Sequence, residues 1–378
     1  MDFALSTDQV FIKDTLHRFL QRECPREKAH ELDEQGTFPG ELLARIAEIG
    51  FCGLNVPEAF DGSGQDLVGT AIGIEEIAAA SPVLAMLFAS VSLCGGRVIS
   101  RFGSPAQQQE YLPQISRGKL KFSFGFEDEL ARDGMQVSLN GESYILSGRA
   151  SCVPFTNPAL ADYLFVQARN HEDQNNISLF IVPLDVSGLQ IQAMPTVGMR
   201  GIGFGEIIFD QVQLNAEQVL GGPQCFGQAT NQLEYLAALD QICGAAIGLG
   251  VAQGAYEYAL DYARERSQFG QTLLQFEAVE NMLVDEAVNL QSTRWLLYHA
   301  CWLADQDKSF ALEAAMARLQ AGNLARQAGL QSVHILGGYG YMAEYDAQRS
   351  MRDALAIFPG GESSELLKTK IGKQLHSL

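Results

Sequence analysis

The chain has 378 residues, of which 47% are hydrophobic and 19% are charged, a composition typical of a soluble protein with a sizeable core. A net charge of −19, without a basic stripe, excludes nucleic acid as an expected partner. No apolar run approaches the roughly 20 residues that cross a bilayer, and the first residues lack a signal-peptide pattern. We therefore expect a cytoplasmic protein with no membrane partner.

The first third of the chain has the periodicity of helices. Thr7 is expected to cap a helix whose inward face consists of Ile12, Leu16, Phe19 and Leu20. Pro39 suits the first turn of a second helix that ends at Gly50. Its expected inward face consists of Leu42, Leu43, Ile46 and Ile49. Ser104 and Pro105 open a further helix. Residues 1–118 are therefore predicted to form a helical domain.

A period of two replaces the helical pattern in the middle of the chain. Residues 135–139 and 143–146 predict a β-hairpin with a turn at Asn140-Gly141. Further strands are predicted at 163–167, 177–184, 189–192 and 206–214. Residues 119–217 are therefore predicted to form an all-β sandwich or barrel.

The last part of the chain is helical again. Helices are predicted at 227–265, 276–306, 309–336 and from about residue 363 onward, and together they suggest a four-helix bundle over residues 218–378. Gly244, Gly248 and Gly250 allow close backbone approach along the first of these helices. The fold class is therefore α+β, with a β domain between two helical domains.

Cysteine and histidine usage argues against a metal site or a disulfide framework. The seven cysteines contain no C-x-x-C pair, and the six histidines show no metal-binding spacing. We expect reduced thiols and no metal.

Four motifs occur in a fixed order. Residues 198–212 read GMRGIGFGEIIFDQV, residues 262–270 read YARERSQFG, residues 336–341 read LGGYGY, and residues 352–365 read RDALAIFPGGESSE. They resemble the GMRGT…FDDV, YAxxRxQFG, LGGxGY and RDA…YEGTSE motifs of the acyl-CoA dehydrogenases. The domain order also resembles that family, so the resemblance extends over nearly the whole chain.

The resemblance implies an FAD-dependent enzyme that forms a C=C bond beside a thioester, with a base for the α-proton and a hydride transfer to flavin N5. An arginine and a glycine turn with free amides suit the FAD pyrophosphate, with the arginine and a phenylalanine contributed across a subunit interface. The implied contacts are Arg266, Phe269, His334, Gly337, Gly338, Ser363 and Glu365. His334 replaces the family's Gln. Without the surrounding motifs, Arg266 would be a solvated helix-end cation and the glycines a helix cap.

The loop that resembles the family's flavin-ring loop departs from the pattern. Residues 126–133 read FEDELARD where the family has TEPxAGSD, so Phe126 replaces a Thr and Arg132 replaces a Ser near phosphate. Arg132 is either a phosphate contact or a surface partner of Asp133. Thr156 matches the ITN motif beside flavin N5.

The catalytic base is the main departure. Gly361 occupies the position of the family's base Glu in the terminal motif. Some members place the carboxylate on the helix that opens the last domain, and alignment back from residues 266–270 puts Asp240 there. Burial in its apolar surroundings would raise the pKa of Asp240 toward that of a useful base. Glu362 is the rival base, and we favour Asp240. Either carboxylate could also be purely structural.

Gln241 suggests the substrate class. CoA-utilising relatives usually have Arg directly after the helix base, and this chain has Gln241. Residues 294–302, RWLLYHACW, resemble a helix of the prolyl-carrier-protein dehydrogenases of secondary metabolism. We expect an acyl or aminoacyl thioester on a carrier protein, with Gln241 and Gly361 near the substrate.

Several alternatives remain open. They are a CoA thioester, oxidation of a hydroxyacyl or seryl thioester at the alcohol carbon, a flavin-dependent monooxygenase and a non-catalytic partner subunit. The expected electron acceptor is an electron-transfer flavoprotein or oxygen, and the expected assembly is a homotetramer or dimer.

Overall fold

The computed structural model describes residues 4–64, 66–125, 134–141, 143–155, 161–171, 173, 176–356 and 363–375. The helices are α1 (Thr7–Glu23), α2 (Arg26–Gln35), α3 (Gly40–Glu48), α4 (Leu67–Ala80), α5 (Pro82–Ala89), α6 (Val98–Phe102), α7 (Pro105–Ser116), α8 (Thr230–Glu265), α9 (Glu277–Asp305), α10 (Ala311–Leu336), α11 (Asp346–Ala356) and α12 (Ser364–Leu375). A π-helical segment, Ser90–Arg97, joins α5 to α6. The strands are β1 (Phe122–Gly125), β2 (Gln136–Asn140), β3 (Ser143–Val153), β4 (Tyr163–Asn170), β5 (Ile177–Pro183), β6 (Leu189–Ala193), β7 (Gly205–Leu214), β8 (Ser267–Gln268) and β9 (Gln271–Thr272).

The strands of the central sheet follow the first helices in the chain and precede the last ones, and these two helical parts pack directly on each other through α4 and α8. Its strand order is β1-β4-β2-β3-β7-β6, with β5 paired to the other edge of β4. Strand β4 runs parallel to β1 and β2, and the remaining pairs are antiparallel. The register between β3 and β7 shifts twice, and such bulges bend a sheet. The predicted order of helical, β and helical parts is confirmed.

The first helices agree with the predicted faces but not with every boundary. Ile12, Leu16, Phe19 and Leu20 are buried on α1, as predicted. Its cap is Ser6, not Thr7, because the Ser6 hydroxyl accepts the Gln9 N–H at 3.2 Å. On α3, Ile49 was placed inward wrongly, since it follows the last helical residue and is 42% exposed.

The β-hairpin begins its turn one residue later than predicted. Asn140 pairs with Ser143 in the β2–β3 register, so Asn140 belongs to the strand and the turn begins at Gly141. Gly141 has a φ of 62°, which glycine adopts without steric cost.

Helix α8 forms the centre of the molecule. A side chain at Gly248 would lie 3.2 Å from the carbonyl oxygen of Ala321 on α10, and one at Gly250 would collide with the Glu75 carbonyl oxygen on α4. Glycine therefore permits the close approach expected from the sequence. Residues 82–102 and α8 are long and apolar enough to span a membrane, but 83% and 78% of their most apolar windows are buried, as in core helices.

Two of the sequence motifs meet at a junction between the sheet and the last helices. The Asp353 carboxylate accepts the Met199 N–H at 2.7 Å, and Arg352 donates to the Val197 carbonyl oxygen at 3.0 Å and to Asp33 at 2.6 Å. Asp353 is 4% exposed, and this burial raises its pKa to about 6. The RDA motif therefore fastens α11 to the loop before β7 and to α2.

Candidate active site

Asp240 lies in the second half of the third turn of α8, where this helix passes the π-helical segment of the N-terminal part. Its side chain is half-buried. At about 100° per residue, Cys243 and Gly244 flank Asp240 on the same face of the helix, and Gln241 points about 100° away. The side chains of other elements that pack on Cys243 and Gly244 therefore also surround Asp240.

Two buried thiols form one side of these surroundings. Burial, together with the negative charge of Asp240, raises the pKa of the Cys243 thiol to about 12. Burial also raises the pKa of Cys94 well above 9.0, and Cys243 and Asp240 raise it further. Cys94 belongs to the π-helical segment, a rare conformation that often marks functional sites. Both thiols are protonated at neutral pH and do not compete with Asp240 as a base.

Arg318 of α10 forms the other side. It is 5% exposed, and its guanidinium lies against the backbone of Gly244. A Cβ atom at Gly244 would lie 2.5 Å from Nε and Nη1 of Arg318. The positive charge of Arg318 lowers the pKa of Cys243, opposite to the effect of Asp240. A cation and a carboxylate therefore act on the same sulfur atom.

A cavity of about 460 Å³ opens beside Gln241, between α8, α10 and α12. Gln241 is 5% exposed and forms part of its wall. Ala315 lies on the α10 side, one turn before Arg318, and Lys370 and Lys373 of α12 line the cavity. The cavity therefore offers a path from the surface toward the residue next to Asp240.

A second group of predicted residues meets at the far end of α8. Arg266 follows the last residue of α8 and is exposed, with its guanidinium 5.7 Å from the ring centre of Tyr339. Gly337 has φ 59° and ψ −129°, and no atom lies within 4 Å of a side chain built at Gly337 or Gly338. His334 is exposed, and its carbonyl oxygen accepts the Gly337 N–H. An exposed guanidinium beside an open glycine turn fits the phosphates of a dinucleotide.

This group lies far from Asp240 in the same chain. Twenty-six residues of helix separate Asp240 from Arg266, a distance of about 39 Å at 1.5 Å per residue. That is longer than an extended FAD molecule. Phe269, at the tip of the β8–β9 hairpin, is 95% exposed. The structure therefore does not bring Arg266 and Phe269 together with Asp240 within one chain.

The sequence matches three parts of one family. It matches the acyl-CoA dehydrogenase N-terminal domain over residues 6–119, the middle domain over 132–212 and the C-terminal domain over 235–376. The chain belongs to the acyl-CoA dehydrogenase family. The predicted recognition, enzyme class and cofactor are thereby confirmed: the protein is an FAD-dependent oxidoreductase that acts on thioesters.

Individual members of the family are similar over their full length. The probable acyl-CoA dehydrogenase YngJ of Bacillus subtilis is 32% identical over 384 residues, which cover 99% of this chain and 100% of that protein. Subunit CarC of the caffeyl-CoA reductase-Etf complex of Acetobacterium woodii is 31% identical, over 92% of this chain and 93% of its own. The prolyl acyl carrier protein oxidase AnaB has the same fold, with a TM-score of 0.90 at 23% identity over 98% and 100% of the two chains.

Several predicted site residues of this chain lie outside the described residues. They are Phe126, Arg132, Thr156, Gly361 and Glu362. Ser363 caps α12, because its hydroxyl accepts the Leu366 N–H at 3.3 Å, and Glu365 is exposed in the first turn of that helix.

Arg318 and Cys94 were missed in the sequence. Arg318 is an isolated basic residue among alanines on α10, and this pattern could have indicated a buried charge. Cys94 gave no comparable signal.

Proposed function

We propose that this enzyme oxidises an acyl or aminoacyl thioester tethered to a phosphopantetheinylated carrier protein, with Asp240 as the base. The observation that supports it best is the position of Asp240. Asp240 lies near the buried Cys94 thiol of the π-helical segment, whose pKa its charge raises, and its neighbour Gln241 lines a cavity between α8, α10 and α12.

The residues of the chain have two tasks in this reaction. Asp240 removes the weakly acidic proton on the carbon next to the thioester and keeps it as a neutral carboxylic acid. The walls around Asp240 keep water away from the reacting carbon, since Cys94 and Cys243 are 7% and 8% exposed. FAD, when bound, accepts the hydride that leaves the β-carbon.

The polarity of the cavity supports a substrate that is bound to a carrier protein. Most of the lining residues, such as Gln241, Ala238 and Ala315, carry no charge, which suits the neutral pantetheine arm, and Glu234 is the acidic residue of the lining. Lys370 and Lys373 line the cavity on α12, and a phosphate at the outer end of the arm would find its positive charge there. The family fold is also known from a prolyl acyl carrier protein oxidase.

We also propose that a second copy of the chain completes the FAD site. Phe269 is 95% exposed and Tyr341 is 85% exposed, and large exposed aromatic residues of this kind mark interaction sites. Both lie near Arg266 and the Gly337-Gly338 turn, about 39 Å along α8 from Asp240. The FAD whose ring faces Asp240 of one subunit would then have its phosphates bound by Arg266 of the other.

A further contact would make the assembly a tetramer. Val288, Trp295 and Trp302 are 63%, 39% and 46% exposed and recur every seven residues, so they form one apolar line on α9. A second pair of subunits would bury this line. Electrons would leave toward an electron-transfer flavoprotein or oxygen, and the relative CarC belongs to a complex with Etf.

The test is anaerobic reduction of the bound FAD, followed by its absorbance. Butyryl, prolyl and seryl groups are each offered on a carrier protein, on coenzyme A and on N-acetylcysteamine. We expect bleaching by a carrier-bound group in the wild type, and none in Asp240→Asn with FAD retained. Reduction by the CoA thioester but not by the carrier-bound one would refute the carrier. Full activity of Asp240→Asn would move the role of base to Glu362.

A further inference from the structure

Tyr339 lies in the short turn that follows α10, directly after the two glycines proposed to bind phosphate. Residues Gly337–Tyr341 form a 3-10 helical turn, and the side chain of Tyr339 is 43% exposed. Tyr339 occupies the variable position of the LGGxGY motif, so the resemblance to the family assigns it no role. Its contacts therefore have to indicate what the ring does.

The guanidinium of Arg266 lies over this ring. Its Cζ atom is 5.7 Å from the ring centre of Tyr339, and a guanidinium within about 6 Å of an aromatic face is attracted by the negative charge of that face. The backbone of Arg266 is fixed on both sides. Its N–H donates to the carbonyl oxygen of Tyr262 at 2.9 Å, and its carbonyl oxygen accepts the Leu273 N–H at 2.8 Å. The ring therefore restrains the side chain of a residue whose backbone is already held.

Two further aromatic rings hold Tyr339 itself. The ring centre of Tyr262 lies 6.5 Å from that of Tyr339, with 60° between the planes. The ring centre of Tyr345 lies 5.1 Å away, with 50° between the planes. Such tilted contacts are favourable, and Tyr262 is one helical turn before Arg266. The ring under Arg266 is therefore packed on both sides, although almost half of it is exposed.

The positive charge of Arg266 is not neutralised within the described part of the chain. No carboxylate there forms an ion pair with Arg266, although the chain has 45 acidic residues. Arg26 provides the contrast, because it lies 4.9 Å above the ring of Tyr258 and also pairs with Asp261 at 3.2 Å. An aromatic ring attracts a guanidinium without supplying an anion. The N–H groups of Arg266 therefore remain available for one.

We infer that Tyr339 is a positioning residue that holds the Arg266 guanidinium in place for the pyrophosphate of FAD. The inference rests on the proposed FAD site shared between two subunits. An arginine side chain has many rotamers, and binding phosphate requires that they be restricted. The contact with Tyr339 restricts them before FAD binds, so less of the binding free energy is lost in ordering Arg266.

The experiment measures the release of FAD from the holoenzyme, without a substrate. Release after dilution is followed by the fluorescence of free flavin. We expect faster release in Arg266→Met, about fivefold faster release in Tyr339→Leu, and a rate near that of the wild type in Tyr339→Phe, which keeps the ring.

The electron density of the ring separates positioning from a purely structural role. Phenylalanine analogues with increasing numbers of fluorine atoms at position 339 change the size of the ring little and reduce the negative charge of its face. Release should become faster with each added fluorine atom. A ring that only filled space would give no such series.

Tyr258→Leu is the matched control, because it removes a ring that lies under another arginine and should leave the release rate unchanged. In the Arg266→Met background, Tyr339→Leu should cause no further change. If Arg266→Met releases FAD faster but Tyr339→Leu and the fluorinated series do not, the inference is overturned and the shared site stands. Unchanged release in Arg266→Met overturns both. If Tyr339→Leu does not fold, the fluorinated series decides alone.

Discussion

Glu286 is a buried acid that the proposed chemistry does not use. It is 0% exposed on α9, and neither carboxyl oxygen has a hydrogen-bond partner among the residues that the structure describes. It stands between Leu283 and Leu290 on the inward face of that helix. Burial raises its pKa from 4.5 to about 8, so the folded protein holds a neutral carboxylic acid at neutral pH.

The raised pKa makes stability depend on pH with a definite sign. Between pH 4.5 and 8 the unfolded chain releases this proton and the folded chain keeps it. The free energy of unfolding therefore falls as pH rises through that window. The fall is about 5 kcal/mol in total, at about 1.36 kcal/mol for each pH unit between the two pKa values. The stabilisation is complete below pH 4.5 and is lost above pH 8.

Glu286→Gln removes the ionisable carboxyl proton and keeps the shape of the side chain. We expect the variant and the wild type to unfold alike at pH 4.5, and the variant to be more stable by about 3 kcal/mol at pH 7. Denaturant unfolding at saturating FAD, at pH 4.5, 7 and 9, measures the difference. Asp285→Asn is the matched control, because Asp285 is the exposed neighbour. If the free energy of unfolding depended on pH in the same way in the wild type and in Glu286→Gln, the prediction would be wrong. The buried acid would then have a charge partner.

Three further outcomes follow from named contacts. Phe269→Ala should weaken both self-association and FAD retention. Light scattering measures the first and the absorbance of bound flavin measures the second. An unchanged oligomer with a full complement of FAD would contradict the proposed shared site. Lys373→Glu should raise the KM for the carrier-bound thioester, while Lys368→Glu, on the same helix but not lining the cavity, should not. Asp353→Ala leaves the buried Met199 N–H without its acceptor and should cost about 1–3 kcal/mol of unfolding free energy, while Asp353→Asn should recover part of it.

The fold could be predicted from the sequence because its signals are local. The apolar spacing on α1 and the alternation along β7 come from the geometry of a single helix or strand. The predictions of helices and strands were wrong where contacts between residues distant in sequence determine the structure. Helix α11 was missed because its conformation depends on Asp353 and Arg349 being buried against other elements.

The candidate site could be predicted only in part. Asp240 was predicted as the base because a carboxylate interrupts an apolar run and aligns with a known position, and this role stays a prediction. Arg318 was not found, since its burial depends on Gly244, which lets α10 approach α8. Glu286 gave a weak signal, a Glu at a core position between two leucines, which periodicity alone cannot distinguish from a surface residue.

The amino-acid sequence by itself determined the family, the cofactor, the order of the domains and the identity of the candidate carboxylate, because motifs and periods are read along the chain. The tertiary structure decided where the buried charged and acidic groups lie: Arg318 against Gly244, Asp353 bonded to the Met199 N–H, and Glu286 with no hydrogen-bond partner among the described residues. These relations depend on burial and on contacts between residues distant in sequence. The free energy of a charged group differs by several kcal/mol between water and a protein interior. The position of a charged residue along the chain does not reveal which of these two environments surrounds it.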